Sequence, residues 1–193
     1  MRKLVYYVGV TVDGYIAGPG GEVDFYPLAE AMSAWIGEQY PETVPTHLRP
    51  TLGLDTRPNR TFDTIVMGRG TYEPALTAGI TSPYTHLRQL VVSSTLGTSP
   101  DPDVELIAAD PLEAVRKLKE EDGLDIWLAG GGRLAGTLLP EIDELIVKTY
   151  PVVAGAGRPV FDGAFEPTRF ARTNSTSFDN GSTVTWFTRA ANS

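Results

Sequence analysis

Gly130-Gly131-Gly132-Arg133 follows an apolar run at 126–129, and a second apolar-periodic segment begins at once with Leu134. Three successive glycines strip the β-carbons from a strand-to-helix turn, so the backbone can lie flat against a ligand. A helix N-terminus at that turn offers free N–H groups and a positive dipole end, which suits a phosphate. The Arg133 guanidinium can add two parallel hydrogen bonds to the same group. A tight crossover without a ligand would have the same composition, and glycines alone do not separate the two readings. Two further stretches share the pattern: Gly68-Arg69-Gly70-Thr71 follows the apolar residues 64–67, and Ser93-Ser94-Thr95 follows 90–92. For Arg69 a solvated surface position is the alternative, and for the serines a plain loop.

These stretches gain meaning from the elements that position them. Residues 4–12 read as a buried strand rich in Val and Tyr, ending at Asp13-Gly14, a turn dipeptide. A helix is expected from 27 or 28 to 39, with Ala29, Met32, Trp35 and Ile36 on one face and Pro41 beyond its end. Residues 41–61 are proline-rich and weakly periodic, a lid or, more simply, a surface insertion. Strands follow at 64–67, 90–92, 104–107, 125–129 and 144–150. Thr71 is a candidate helix cap, and Asp110-Pro111 opens a helix carrying Leu112, Val115 and Leu118 on one face. After the glycines a short helix is expected over 134–139. The tail, 170–178 and 182–188 around Asp179-Asn180-Gly181, is a hairpin signal.

Strands alternating with helices imply an α/β fold: a mostly parallel central sheet flanked by helices, closed by a C-terminal antiparallel hairpin. All three small-residue stretches then fall beyond the C-terminal ends of strands, along the sheet edge where ligands bind in such folds. Two arginines and backbone from three strands suit an extended anionic ligand, a phosphorylated dinucleotide better than a single phosphate. The glycines do not follow the G-x-G-x-x-G pattern, so an ordinary dinucleotide-binding turn is not indicated.

Bulk properties narrow the rest. The chain has 193 residues, 41% hydrophobic and 21% charged, and is expected to form one domain over 1–193. A net charge of −8 disfavours nucleic acid and anionic membranes as partners. With no cysteine and only His47 and His86, thiolate chemistry is excluded and a metal centre is not expected. The first residues lack a signal-peptide pattern and no run of about twenty apolar residues occurs, so a soluble cytoplasmic protein is expected.

In succession, Val12-Asp13-Gly14-Tyr15-Ile16-Ala17, Val66-Met67-Gly68-Arg69-Gly70-Thr71-Tyr72-Glu73, Val91-Val92-Ser93-Ser94, Leu128-Ala129-Gly130-Gly131-Gly132-Arg133-Leu134 and residues 150–161 resemble the dihydrofolate-reductase-like superfamily. The last stretch is closest to one branch, the C-terminal reductase domain (RibD C-terminal) of the bifunctional riboflavin-biosynthesis deaminase-reductase and its stand-alone relatives. The resemblance implies NADPH as cofactor and hydride transfer to a small molecule. It implies Gly9 and Ile16 beside the nicotinamide and Phe25 as an aromatic cofactor contact. Gly68, Arg69, Gly70 and Thr71 would hold phosphates, with Arg69 at the 2′-phosphate. Ser93, Ser94 and Thr95 would lie at the adenine ribose, and Gly130, Gly131, Gly132, Arg133 and Leu134 at the pyrophosphate. It also implies a homodimer, with exposed apolar residues of the late strands and hairpin as the interface.

The substrate residues of that branch are not carried over: Ala129 stands where its glutamate precedes the glycine pair, and Val23 replaces a serine. The expectation is therefore an NADPH-dependent reductase acting on a C=N or C=O group of an unidentified small molecule, pterin- or pyrimidine-like compounds included. The alternative is a catalytically silent nucleotide-binding protein of the same fold. Asp24, the one carboxylate in the apolar patch 23–26, is the candidate catalytic residue, with a simple capping role as its alternative.

Overall fold

A computed structural model of the chain describes residues 1–27 and 29–190. In chain order the elements are β1 (Leu4–Thr11), β2 (Tyr15–Ala17), α1 (Glu30–Gln39), β3 (Phe62–Gly68), α2 (Arg69–Thr77), β4 (Arg88–Val92) and β5 (Val104–Ile107). They continue with α3 (Pro111–Glu120), β6 (Asp125–Gly130), α4 (Gly132–Leu138), β7 (Ile142–Tyr150), β8 (Arg158–Pro159), β9 (Phe170–Ser177) and β10 (Thr183–Arg189). Eight strands form one sheet in the order β5-β4-β3-β6-β1-β7-β10-β9. The six strands from β5 to β7 run parallel, and β10 and β9 close the sheet antiparallel.

Both faces of the sheet are covered, which explains the near-continuous apolar run of β1. Val5 and Tyr7 face one core, with Phe62, Ile65, Met67 and Trp127, closed by Met32, Trp35 and Ile36 of α1 and Tyr72 of α2. Leu4, Tyr6 and Val8 face the other, with Ile126 and Leu128, closed by Val115 and Leu118 of α3 and Leu134, Ala135 and Leu138 of α4. Asp110 caps α3 as expected, its carboxylate accepting from the Glu113 amide at 3.1 Å, with Pro111 next in line. The Asn180-Gly181 turn also forms, Gly181 taking φ +84°.

Some local expectations are corrected. The first helix starts at Glu30, not at 27, and Leu28 lies outside the described residues. The cap of α2 is Gly68, so Thr71 sits inside the first turn rather than ahead of it. Residues 41–61 are no free lid: buried Arg49 donates to the carbonyls of Pro41, Leu54 and Arg57 at 2.6, 2.8 and 2.7 Å. Buried Glu42 accepts from the amides of Thr61 and Phe62 at 2.7 and 2.9 Å, so both ends of the insertion are tied down. Most of β9 is exposed and polar (Arg172, Thr173, Asn174, Ser175), and among the described residues the large exposed apolar side chains nearest the C-terminus are Val153 and Phe165, in loops.

Candidate functional site

Because β6 lies between β3 and β1, the glycines that end β3 and β6 meet. A β-carbon on Gly68 would stand 3.3 Å from the Gly130 carbonyl oxygen and 3.4 Å from the Gly131 nitrogen. The three successive glycines then do different things. Gly130 takes φ +105°, a region L side chains avoid. Gly132 is needed for packing, since a β-carbon there would lie 2.0 Å from the Pro159 carbonyl oxygen. Gly131 has room, its nearest neighbours being Ile16 and Thr71 at 3.7 Å, and its bare backbone lines a cleft. That cleft, of ≈ 1170 Å³, runs along the carboxyl ends of β4, β3, β6, β1 and β7.

The charges along it are one-sided. Among the described residues, Arg69, Arg133, Arg158 and Lys148 line the cleft against a single lining carboxylate, Asp162. Arg69 donates to the Thr95 hydroxyl at 2.7 Å and reaches Glu73 at 3.4 Å, so α2 and the loop after β4 act as one edge. Arg158, brought in by the pairing of β8 with β2, places its guanidinium within 3.6 Å of the point where a Gly70 side chain would start. The Ser93 hydroxyl is occupied in shaping its loop, accepting from the amides of Thr95 and Leu96 at 3.2 and 3.1 Å. α4 has only seven residues, so what its start offers is bare backbone more than a dipole.

At the other end the walls are aromatic. Tyr26 stacks tilted on Tyr150 with ring centres 4.6 Å apart, and its hydroxyl donates to the carbonyls of Gly9 and Tyr15 at 3.3 and 3.1 Å. Lys148 lies beside Gly9 across the β1–β7 pair, with its ammonium 4.0 Å from the centre of the Tyr7 ring. Burial lowers the Lys148 pKa from 10.5 to about 8. It raises those of Tyr7, Tyr26 and Tyr150, so these hydroxyls stay neutral.

Every expected cofactor residue except Gly130 and Phe25 lines the cleft. Gly130 stands just behind it, against Tyr6 and Thr71. Phe25 packs on Tyr26 with ring centres 4.6 Å apart, and Tyr26 is the aromatic that reaches the cleft. Asp24 is exposed on a turn and absent from the lining, so the apolar surroundings expected for it do not exist. Arg158, Lys148, Tyr26 and Tyr150 were not singled out from the sequence. The available signal for Lys148 was a cation directly after the apolar run Leu145-Ile146-Val147 within one strand; for Arg158 it was the glycine-flanked loop before it.

The sequence matches the family model of the RibD C-terminal domain over residues 2–184. The chain belongs to the RibD C-terminal domain family. Uncharacterized protein YwjB of Bacillus subtilis (strain 168) is 30% identical over 162 residues, spanning 83% of each chain. Among solved structures, a candidate riboflavin biosynthesis protein from Shewanella sp. PV-4 superposes with a TM-score of 0.69 at 24% identity, covering 99% of this chain and 100% of that one. Dihydrofolate reductase from Enterococcus faecalis, complexed with NADP(H) and RAB-propyl, gives 0.65 at 13% identity, covering 98% and 97%. The mostly parallel sheet with its antiparallel edge is thus the dihydrofolate-reductase-like arrangement of this family. No helix among the described residues is long and apolar enough to cross a membrane.

Proposed function

We propose that this member of the RibD C-terminal family is a reductase that uses NADPH to reduce a carbonyl or imine group of a small molecule. The observation that carries the reading is the concentration of Arg69, Arg133 and Arg158 beside bare glycine backbone in one cleft, in a chain of net charge −8. Such a local reversal of field draws a polyanion to one place. The residues fit the group: Gly70 and Gly131 leave room at the backbone, and the guanidiniums supply the pairing that phosphates need.

In this reading Arg69, held by Thr95, takes the 2′-phosphate that distinguishes NADPH from NADH. Arg133, Arg158 and the Gly131 backbone take the pyrophosphate. Gly9 and Ile16 leave a flat floor for the nicotinamide, which when bound supplies a hydride. Tyr7, Tyr26, Tyr150 and Trp127 exclude water from that end of the cleft and offer flat apolar walls to a substrate. Asp24 has no part in it.

Isothermal titration with NADPH, followed by NADPH oxidation assays across carbonyl, imine and pterin acceptors, tests the reading. Binding with turnover of at least one acceptor is expected. Absence of binding contradicts it, and binding with no oxidation points to the silent nucleotide-binding alternative.

A further inference from the structure

Among the described residues, Lys148 is the one cation lining the cleft that phosphate recognition leaves unused. It stands on β7 directly across from Gly9 of β1, its Cε 3.9 Å from the point where a Gly9 side chain would begin. From β1 it meets the face of Tyr7, and on its own strand Tyr150 follows two residues later. From the segment before α1 comes Tyr26, whose ring packs on Tyr150, and from β10 its register partner is Val184. None of these is a carboxylate, and Lys148 has no ion pair among the described residues; Glu144, on the same strand, is paired with Lys3. The Tyr7 ring offsets only part of the cost of removing an ammonium from water. The burial that lowers its pKa also leaves it protonated at neutral pH and ready to release the proton.

We propose that Lys148 is the proton donor of the reaction, and that the acceptor is an uncharged carbonyl compound held against Tyr26 and Tyr150. The proposal rests on the cleft being an NADPH site. Hydride adds to the carbonyl carbon, its π pair moves to oxygen, and Lys148 gives that oxygen a proton. The carbonyl ends as an alcohol, the electrons having come from NADPH, and the neutral amine regains its proton from water. A ring bearing a protonated nitrogen is disfavoured at this end. It would meet an ammonium and no carboxylate, because Asp162, the only lining carboxylate among the described residues, lies by α4, where its amide donates to the Gly132 carbonyl. A carbonyl oxygen accepts from the ammonium without such a conflict.

The chain has four lysines, Lys3, Lys117, Lys119 and Lys148, so isotope-labelled reductive methylation gives a readable NMR spectrum, with Lys148→Met assigning the signal of interest. The Lys148 signal is expected to titrate at about 8 rather than 10.5 and to move when NADP⁺ is added. NADPH oxidation by the wild type is then measured over a panel of aldehydes, ketones, enones, imines and dihydropterins. The rate with a carbonyl acceptor should fall as pH rises through the value found by NMR. Lys148→Met should lose about 100-fold or more in turnover. Lys148→Arg, which keeps the charge but does not release its proton, should lose turnover and the pH dependence together.

If NADP⁺ does not bind by calorimetry, the cofactor reading fails and the proposal with it. If NADP⁺ binds but the Lys148 signal is indifferent to it, or Lys148→Met keeps full turnover, the proposal alone fails. Oxidation of NADPH by imines or pterins only, or by no acceptor, overturns the carbonyl assignment.

Discussion

Arg69, the first residue of α2, donates a 2.7 Å hydrogen bond to the hydroxyl of Thr95, beyond the end of the neighbouring strand β4. Two stretches 26 residues apart thereby present one cationic edge to the cleft. Arg69→Ala should weaken NADPH binding about 10- to 100-fold, the worth of a charge-assisted hydrogen-bonded contact, while changing NADH binding little. Parallel calorimetric titrations with the two cofactors check this; equal losses would place Arg69 away from the 2′-phosphate.

Adjacent glycines should respond differently to the same substitution. Gly132→Ala forces a β-carbon to 2.0 Å from the Pro159 carbonyl oxygen. It should cost about 1–3 kcal/mol, roughly 3–10 °C in Tm. Gly131→Ala finds its nearest atoms at 3.7 Å, so it should leave Tm nearly unchanged while weakening NADPH binding by filling the cleft floor. Thermal melts beside cofactor titrations separate the two effects.

The insertion is held by one guanidinium. Arg49→Ala leaves the carbonyls of Pro41, Leu54 and Arg57 without their donor and should cost about 2–4 kcal/mol. Amide hydrogen exchange should rise across residues 41–57 before it rises in the sheet. Unchanged exchange there would mean that other contacts fix the segment.

Lys148 also makes a prediction about stability. Its folded pKa is lowered to about 8 from 10.5, so between those values the unfolded chain binds more protons and stability rises with pH. Below about 8 the full penalty of holding the ammonium out of water is present. Lys148→Met should therefore raise Tm at neutral pH, and the gain should fade as pH rises from about 8 towards 10.5. A gain independent of pH would trace to packing alone.

What could be read from the sequence was local. Asp110-Pro111 and Asn180-Gly181 carry their own backbone chemistry, and the glycines at 68 and 130–132 mark where strands end. The readings that failed depended on what lies across the fold. Asp13 does sit in a turn and accepts locally from Thr11, but its carboxylate also accepts from the amides of Ala154 and Gly155 at 3.0 and 2.7 Å, which the sequence did not suggest. The Thr11 hydroxyl first, and then the two amides of a loop more than a hundred residues away, lower its pKa to about 2. Asp24 sits among apolar residues in sequence, but its turn points it to solvent. Lys148 meets Gly9 only because β7 pairs with β1 in one register, and Arg158 reaches Gly21 and Gly70 only because β8 pairs with β2. Neither pairing is written in the periodicity of a single strand.

The central claim is that this cleft recognises NADPH through its arginines. Calorimetric titration of the wild-type chain with NADPH and NADH at two salt concentrations tests it most directly. The account predicts micromolar or tighter binding of NADPH, at least about tenfold preference over NADH, and weakening of that preference as salt rises. Absence of NADPH binding at millimolar concentration, or equal affinity for the two cofactors, would contradict it.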